Sequence, residues 1–314
     1  MDMKVAQLQA DITTYCNSHC GGCIRNIDGG ETCVDLVHLP LNIFRKINFS
    51  DIEVVYFNGA YGDFTMHPDG IQFIDSIPEH VVIDISTNGG TRNKGWWQLL
   101  AKTLSKFTAR VSFAIDGLST NHLYRRGVDT EKVLDNAEAF IQAGGRARWK
   151  YIMFEHNKHE IETASQLARD IGFESFVMVE SYNEEIYQKK YKNFSESVAK
   201  RIPLDESYNW RSRSLEYPED YEDNHPCRWR NKRRAQLDAW GNIWQCCYMP
   251  SIATQKDTKM FEELSMLKLE NNLHSDEYDN ILQSSFFAEL FDEPLEACKK
   301  CEEYDNEKVN FSIL

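Results

Sequence analysis

Three cysteines lie within eight residues near the start of the chain, in the segment CNSHCGGC. Cys16, Cys20 and Cys23 have the spacing C-x3-C-x2-C, so a single loop supplies three thiolates, which are ligands for soft metals. Structural zinc requires four ligands, and His19 lies too close between two of the cysteines to complete a tetrahedron easily. A cubane iron–sulfur cluster with three cysteine ligands keeps one iron open to a chelating ligand. The spacing thus leaves a zinc site and an iron–sulfur cluster as alternatives, and an open iron would suit a chelating substrate.

A second group of cysteines lies far along the sequence. The chain has nine cysteines, and an odd number fits a complete disulfide framework poorly. In a reducing compartment, clustered cysteines indicate metal binding or catalysis. Cys33 lies a little apart from the first group, and no cysteine occurs between it and the second group. The second group consists of Cys227, Cys246, Cys247, Cys298 and Cys301. We therefore expect two separate sites.

The elements that would position these loops follow a regular order. Short apolar runs alternate with helical patterns, giving six strand-then-helix units, which is typical of a parallel sheet with crossover helices. Six units are too few for a closed eight-stranded barrel. We therefore predict an α/β fold in which residues 1–200 form a partial (β/α)6 TIM-type barrel. Residues 201–314 are aperiodic and cysteine-rich, and they predict a small α+β domain with a hairpin turning at Trp240, Gly241 and Asn242.

The predicted strands end in loops of unusual composition, among them CNSHCGGC, NGAYGD, STNGG, IDG and FEHN. Parallel α/β folds place ligands at the C-terminal ends of their strands, so these loops are expected to share one pocket. Asp116, at the tip of the fourth strand, is expected to contact a cofactor or substrate rather than to be buried. Asn157 with Glu160 is predicted to cap the helix that follows the fifth strand.

Composition limits the classes of function. The net charge of −14 favours solubility and argues against a global nucleic-acid surface, with RWRNKRR, residues 228–234, as a local basic exception. The first residues contain no apolar segment of a secretory signal, and no run of apolar residues is long enough to span a membrane. We therefore expect a cytoplasmic protein.

Taken together, these motifs resemble those of the radical S-adenosylmethionine superfamily. Cys16, Cys20 and Cys23 match its hallmark motif, which implies a [4Fe-4S] cluster that binds S-adenosyl-L-methionine. NGAYGD stands where the family has a glycine-rich motif, although the usual form is GGEP, and Gly22 replaces an aromatic residue that often precedes the third cysteine. The adenine contact must then come from elsewhere. The cofactor-binding residues that the resemblance implies are Asn58, Gly59, Tyr61, Gly62, Asp63, Ser86, Asn88 and Asp116.

The C-terminal cysteines resemble those of the twitch form of the SPASM extension. In that extension four cysteines hold an auxiliary [4Fe-4S] cluster, and the spacing Gly241-x4-Cys246 is part of the likeness. The resemblance implies that the auxiliary ligands are Cys227, Cys246, Cys298 and Cys301. A four-cysteine zinc site is the alternative on spacing alone. Cys247 is left over, either as a catalytic hydrogen donor or as a packed neighbour of the cluster.

The resemblance implies an enzyme that reductively cleaves S-adenosyl-L-methionine to a 5′-deoxyadenosyl radical, which takes hydrogen from a substrate carbon. Oxidation aided by the auxiliary cluster, epimerisation and rearrangement are all open outcomes. The expected partners are a small molecule or short peptide as substrate and a flavodoxin- or ferredoxin-like electron donor, without a membrane.

Alternatives within the superfamily are a peptide-modifying maturase and a modified-nucleotide isomerase. A non-enzymatic alternative is a four-cysteine zinc protein that binds nucleic acid through RWRNKRR and nearby tryptophans.

Overall fold

A computed structural model describes most of the chain. The described residues are 4–23, 25–26, 32–180, 210–211, 229, 232–246, 249–250, 271–284 and 287. They divide into two compact units. The first unit comprises Met1–Ala10, Leu39–Val55 and Tyr217–Leu314, and the second comprises Asp11–His38 and Tyr56–Glu216. The predicted domain division at residue 200 stays a prediction, because that point lies outside the described residues.

The strands are β1 (Gln7–Ala10), β2 (Val54–Phe57), β3 (Val82–Thr87), β4 (Ala109–Ala114), β5 (Ala147–Met153), β6 (Ser175–Glu180), β7 (Trp210–Arg211), β8 (Arg234–Leu237) and β9 (Ile243–Trp244). The α-helices are α1 (Leu41–Phe44), α2 (Gly70–Asp75), α3 (Lys94–Leu104), α4 (Asn121–Tyr124), α5 (Thr130–Gln142), α6 (Ile161–Ile171) and α7 (Tyr278–Gln283). Short 3₁₀ turns occupy Phe64–Met66 and Lys158–Glu160. Within the described part of the chain, no helix is both long enough and apolar enough to cross a membrane.

The second unit contains most of the parallel sheet. Its strand order is β2-β3-β4-β5-β6-β7, in which β3 to β6 are parallel neighbours and β7 is antiparallel to β6. All six predicted strands of the N-terminal part are present as β1 to β6, and the mostly parallel α/β sheet agrees with a partial TIM-type barrel.

Alternation along β5 separates the two faces of the sheet. Ala147, Trp149, Tyr151 and Met153 are buried, whereas the residues between them are only half-buried. The buried face carries an aromatic core, in which the Trp97 ring of α3 lies 5.0 Å from that of Phe113 on β4. This period of two is that of a strand with one face packed against helices, so the other face is left for the site.

The first unit contains β1, β8 and β9 beside its part of β2. Its strand order is β2-β1-β8-β9, with β1 parallel to β8 and β8 antiparallel to β9. The predicted hairpin is therefore confirmed. Buried Asp238 fixes the turn, because its carboxylate accepts hydrogen bonds from the Asn242 amide nitrogen at 2.9 Å and from Trp244 Nε1 at 2.6 Å. Burial raises the pKa of Asp238, and these donors oppose the shift.

Candidate functional site

The cysteine loop belongs to the second unit and is held at both ends. The Thr14 hydroxyl donates to the Asp35 carbonyl at 2.8 Å, and the Val37 amide donates to the Thr14 hydroxyl at 2.7 Å. Arg25 is 3% exposed, and its Nη2 donates to the Thr14 carbonyl at 3.0 Å. These contacts hold together the two ends of the loop that carries the cysteines.

Hydrogen-bond donors surround two of the three sulfurs. The Ser18 amide lies 3.4 Å from Cys16 Sγ, and the Ser18 hydroxyl lies 3.0 Å from Cys20 Sγ. Asn88 Nδ2, from the end of β3, reaches Cys16 Sγ at 3.5 Å. Such donors stabilise sulfur that carries negative charge, which is the state of a metal-bound cysteine.

The electrostatics of Cys16 also suit a metal ligand. Burial and the nearby Asp63 carboxylate raise the pKa of the Cys16 thiol to about 12. At neutral pH this sulfur would stay protonated without a bound cation, whereas coordination to a metal deprotonates a thiol outright. The loop therefore fits a cationic metal centre better than it fits a free nucleophilic thiolate.

A single metal ion needs ligands that converge on one point, whereas a four-iron cluster does not. Among the described residues, no three His, Cys, Asp or Glu side chains are grouped closely enough to hold one metal ion. In a four-iron cluster each cysteine binds its own iron, so the three sulfurs need not converge on one point.

The segment 58–63 lies directly against the cysteine loop. The Asp63 amide donates to the Tyr15 carbonyl at 2.8 Å, and the Ala60 amide donates to Asp11 Oδ1 at 2.7 Å. A Cβ atom on Gly62 would lie 2.2 Å from the Thr13 carbonyl oxygen, so only glycine allows this close approach. Asn58 and Gly59 remain half-buried, whereas Tyr61 is 1% exposed.

The Asp63 carboxylate binds groups of the protein itself. Its Oδ1 accepts from the Thr65 hydroxyl at 2.6 Å and from the Thr87 hydroxyl at 2.9 Å. Its Oδ2 accepts from the backbone amide nitrogen of Asn88 at 2.8 Å. Asp63 thus joins the 58–63 segment to the end of β3 and positions Asn88 beside the cysteine loop.

Two further predicted residues lie at the end of β3. Asn88 Nδ2 also donates to Asn17 Oδ1 at 2.9 Å, so its amide bridges β3 to the cysteine loop. Ser86 is half-buried and pairs with Ser112 of β4 on the face opposite the aromatic core. The structure brings Gly62, Asp63 and Asn88 together with the cysteine loop.

Asp116 lies at the end of β4 but is wholly buried, at 0% exposure. The expectation that it escapes burial is therefore wrong, because its carboxylate forms an ion pair with Arg125 Nε at 2.7 Å. Arg125 Nη1 in turn lies 3.9 Å from Cys20 Sγ. Arg125 therefore links the Asp116 carboxylate to the cysteine loop.

Arg125 was not singled out from the sequence. Burial lowers the pKa of its guanidinium, but the charges of Asp116 and Cys20 outweigh burial and hold that pKa above its ordinary value. The only sequence signal is a basic pair, Arg125–Arg126, shortly after the Ile115–Asp116–Gly117 motif.

Glu160 has a role that differs from the predicted helix cap. Its carboxylate makes no capping bond to α6 and instead accepts from the Leu118 and Ser119 amides at 2.8 and 2.9 Å. It also accepts from the Thr120 hydroxyl at 2.5 Å. Glu160 thus clamps the loop that follows Asp116. Despite burial, these bonds lower the pKa of Glu160 to about 2.

Replacing Glu160 with glutamine is expected to lower the free energy of unfolding by up to about 3 kcal/mol at neutral pH. The carboxylate has a lowered pKa in the folded state, so its contribution is present above the ordinary value of 4.5 and is lost as pH falls toward about 2. Denaturant unfolding between neutral and acidic pH measures this. The exposed neighbour Glu162 supplies the control: Glu162→Gln should change stability by less than about 0.5 kcal/mol. Equal effects of both variants would contradict the clamp.

The second cysteine group is described only in part. Cys246 is half-buried in the first unit. Cys227, Cys247, Cys298 and Cys301 lie outside the described residues. The auxiliary ligand set and the role of Cys247 therefore stay predictions. Cys33, beside the first group, is exposed.

Comparison with known proteins identifies relatives of this fold. Residues 11–171, just over half of the chain, match the Radical SAM superfamily. SuiB of Streptococcus suis, solved bound to the precursor peptide SuiA, is 14% identical, with a TM-score of 0.64 over 92% of this chain and 67% of SuiB. The chain thus spans about two thirds of the length of SuiB.

A second structural relative, anSMEcpe with bound AdoMet, is 14% identical, with a TM-score of 0.53 over 95% of this chain and 87% of that one. At this identity the likeness concerns the fold alone. No curated protein matches the chain. The matched segment contains the cysteine loop, the 58–63 segment and the ends of β3 and β4, and by this match the chain belongs to the Radical SAM superfamily.

Proposed function

We propose that this chain is an enzyme that reductively cleaves S-adenosyl-L-methionine and removes a hydrogen atom from a carbon of its substrate. The observation that carries the proposal is the three-cysteine loop, in which Ser18, Asn88 and Arg125 place donors beside the sulfurs of Cys16 and Cys20. Membership of the superfamily supports it.

Cys16, Cys20 and Cys23 would hold a [4Fe-4S] cluster by one iron each. When bound, this cluster supplies the electron that splits S-adenosyl-L-methionine into methionine and a 5′-deoxyadenosyl radical. Asn88 and Ser18 hold two of the ligand sulfurs in place, and Arg125 places a positive charge beside Cys20. The protein orients the reactants and excludes water, while the cofactor carries the difficult chemistry.

The 58–63 segment is proposed to receive the methionine end of the cofactor. Asn58 and Gly59 are half-buried, and Gly62 and Asp63 fix their segment against the cysteine loop. Tyr61, Ser86 and Asp116 belong to the same proposed site, with Tyr61 and Asp116 acting from buried positions and Ser86 from the open face of β3.

We further propose that a twitch-like C-terminal region holds an auxiliary [4Fe-4S] cluster through Cys227, Cys246, Cys298 and Cys301. Such a cluster would favour oxidation of the substrate, and Cys247 would donate hydrogen if the reaction is an epimerisation. The proposed electron donor is a flavodoxin- or ferredoxin-like protein.

The substrate is proposed to be a peptide or a small molecule. Structures of SuiB with a precursor peptide and of anSMEcpe with AdoMet and the Cp18Cys peptide support the peptide. Their identity to this chain is low, so the likeness supports only the class of substrate.

The test is anaerobic incubation of the iron-reconstituted full chain with S-adenosyl-L-methionine and dithionite. We expect 5′-deoxyadenosine and methionine to form together in equal amounts. Zinc-loaded chain, which has no electron to give, is the matched control. A brown, iron-loaded protein that releases no 5′-deoxyadenosine would contradict the proposal.

A further inference from the structure

Four charged side chains lie on one face of strands β3, β4 and β5. Asp84 of β3 pairs in register with Arg110 of β4, and Ser112 of β4 pairs with Arg148 of β5. Side chains alternate along a strand, so Lys150 projects from the same face as Arg148. This is the face opposite the aromatic core of Trp149 and Phe113.

Among the described residues of β3, β4 and β5, this face carries three basic side chains and one acidic side chain. Asp84 is already bound: its Oδ2 lies 3.1 Å from Arg110 Nη2 and 3.8 Å from Arg148 Nη2. Arg148 Nε also donates to the Ser112 hydroxyl at 2.9 Å. One carboxylate thus serves two guanidinium groups, and Lys150 adds a third positive charge. These three basic side chains lie close together in a chain whose net charge is −14.

Lys150 has no partner of its own within the described residues, since its ammonium forms neither a hydrogen bond nor an ion pair there. Burial and the neighbouring charges of Arg148 and Arg125 lower the pKa of Lys150 to about 8, and the Asp116 and Asp84 carboxylates oppose this shift. A half-buried ammonium that forms no ion pair of its own is costly, and a bound anion would lower that cost.

The register places Lys150 beside the cysteine site. Lys150 pairs with Ala114 of β4, and the preceding residues Phe113 and Thr87 pair between β4 and β3. Asn88 follows Thr87, so Asn88, Ala114 and Lys150 form one row across three strands. Strands are spaced about 4.8 Å apart, which puts the ends of this row about 10 Å apart. Ala114, between them, is half-buried.

Asn88 ends this row against Cys16 Sγ, at 3.5 Å, so the row that begins at Lys150 ends at the cysteine loop. We propose that Lys150, supported by Arg148, binds a carboxylate of the substrate and fixes the substrate beside the cofactor. This subsite rests on the proposed function for its biological meaning, but its binding chemistry can be measured separately. A single ammonium beside an already engaged guanidinium matches one negative charge, which favours a carboxylate.

Protection of Lys150 from acetylation tests the subsite in the iron-reconstituted full chain under anaerobic conditions. The probes are N-acetyl-L-alanine and N-acetyl-L-alaninamide, which differ in the carboxylate. At a concentration about tenfold above a millimolar dissociation constant, the carboxylate should slow acetylation of Lys150 about tenfold, as read by peptide mass spectrometry. The amide should change that rate less than about twofold. Exposed Lys102 on α3 serves as the internal control.

Each other outcome overturns the subsite. Equal protection by both probes means that shape rather than charge is recognised, and no protection by either means that no carboxylate binds. Protection by S-adenosyl-L-methionine alone assigns the carboxylate to the cofactor and overturns the assignment to substrate. Release of 5′-deoxyadenosine is measured in a separate reaction, so a failure of the proposed function is distinguished from a failure of this subsite.

Discussion

Replacing Cys16, Cys20 and Cys23 together with alanine is expected to abolish release of 5′-deoxyadenosine from S-adenosyl-L-methionine. The three thiolates are the proposed ligands of the cofactor-binding cluster, and without them no electron reaches the sulfonium. The loss would remove the whole cluster-dependent acceleration, on the order of a millionfold. Iron analysis should show a loss of about four irons per chain, while iron at the C-terminal group persists.

The matched control is Cys33→Ala. Cys33 is exposed and lies ten residues after Cys23, where its amide nitrogen donates to the Arg25 carbonyl at 2.7 Å. That bond uses the backbone and survives the substitution, so iron content and cleavage should be retained. Unchanged iron content in the triple variant would show that the loop holds no cluster.

Replacing Asp116 with asparagine is expected to have the second largest effect, because it breaks a buried ion pair. Asp116 is fully buried, and its carboxylate lies 2.7 Å from Arg125 Nε. Removal of one partner leaves the Arg125 charge without its counterion, which should lower the free energy of unfolding by about 3–5 kcal/mol. Anaerobic denaturant unfolding measures this loss.

The same substitution should change the proposed cluster at Cys20. Arg125 lies 3.9 Å from Cys20 Sγ, and without Asp116 its positive charge is no longer offset. A more positive environment favours the reduced cluster, so the reduction potential should rise by on the order of 50–100 mV. A redox titration followed by electron paramagnetic resonance measures the potential.

Asp84→Asn is the matched control for both readouts. It breaks another buried ion pair, with Arg110 at 3.1 Å, and Asp84 lies four residues before Asn88, which is about 13 Å along the strand direction. It should therefore cost similar stability and leave the potential of the cluster nearly unchanged. An equal rise in potential in both variants would contradict a specific path from Asp116 through Arg125 to Cys20.

Much of the fold could be predicted from local patterns. The alternating residues of ARWKYIM predict the two faces of β5. Apolar residues on either side of a turn predict the hairpin around Trp240–Asn242. The cysteine loop could be located for the same reason, because its three ligands are close in sequence. The auxiliary group could not be checked in this way, since only Cys246 of its proposed ligands lies among the described residues.

The roles of individual acidic residues were harder to predict. The contact of Asp63 with the cofactor stays a prediction, and the structure adds that its carboxylate accepts hydrogen bonds from Thr65, Thr87 and Asn88. Glu160 was expected to cap α6, and it binds the loop at Ser119 instead. Thr65 is a local partner, but Thr87, Asn88 and Ser119 lie on other strands or loops than the acidic residues they contact, so sequence spacing does not indicate these contacts.

The sequence by itself determined the order of strands and helices and the three-cysteine loop, because each depends on residues near one another along the chain. Only the tertiary structure decided which charges meet. It paired Asp116 with Arg125, placed Arg125 beside Cys20, and put Lys150 on the same open face of the sheet as Arg148. Ion pairing depends on distance in space and on burial, and both are set when the strands come into register.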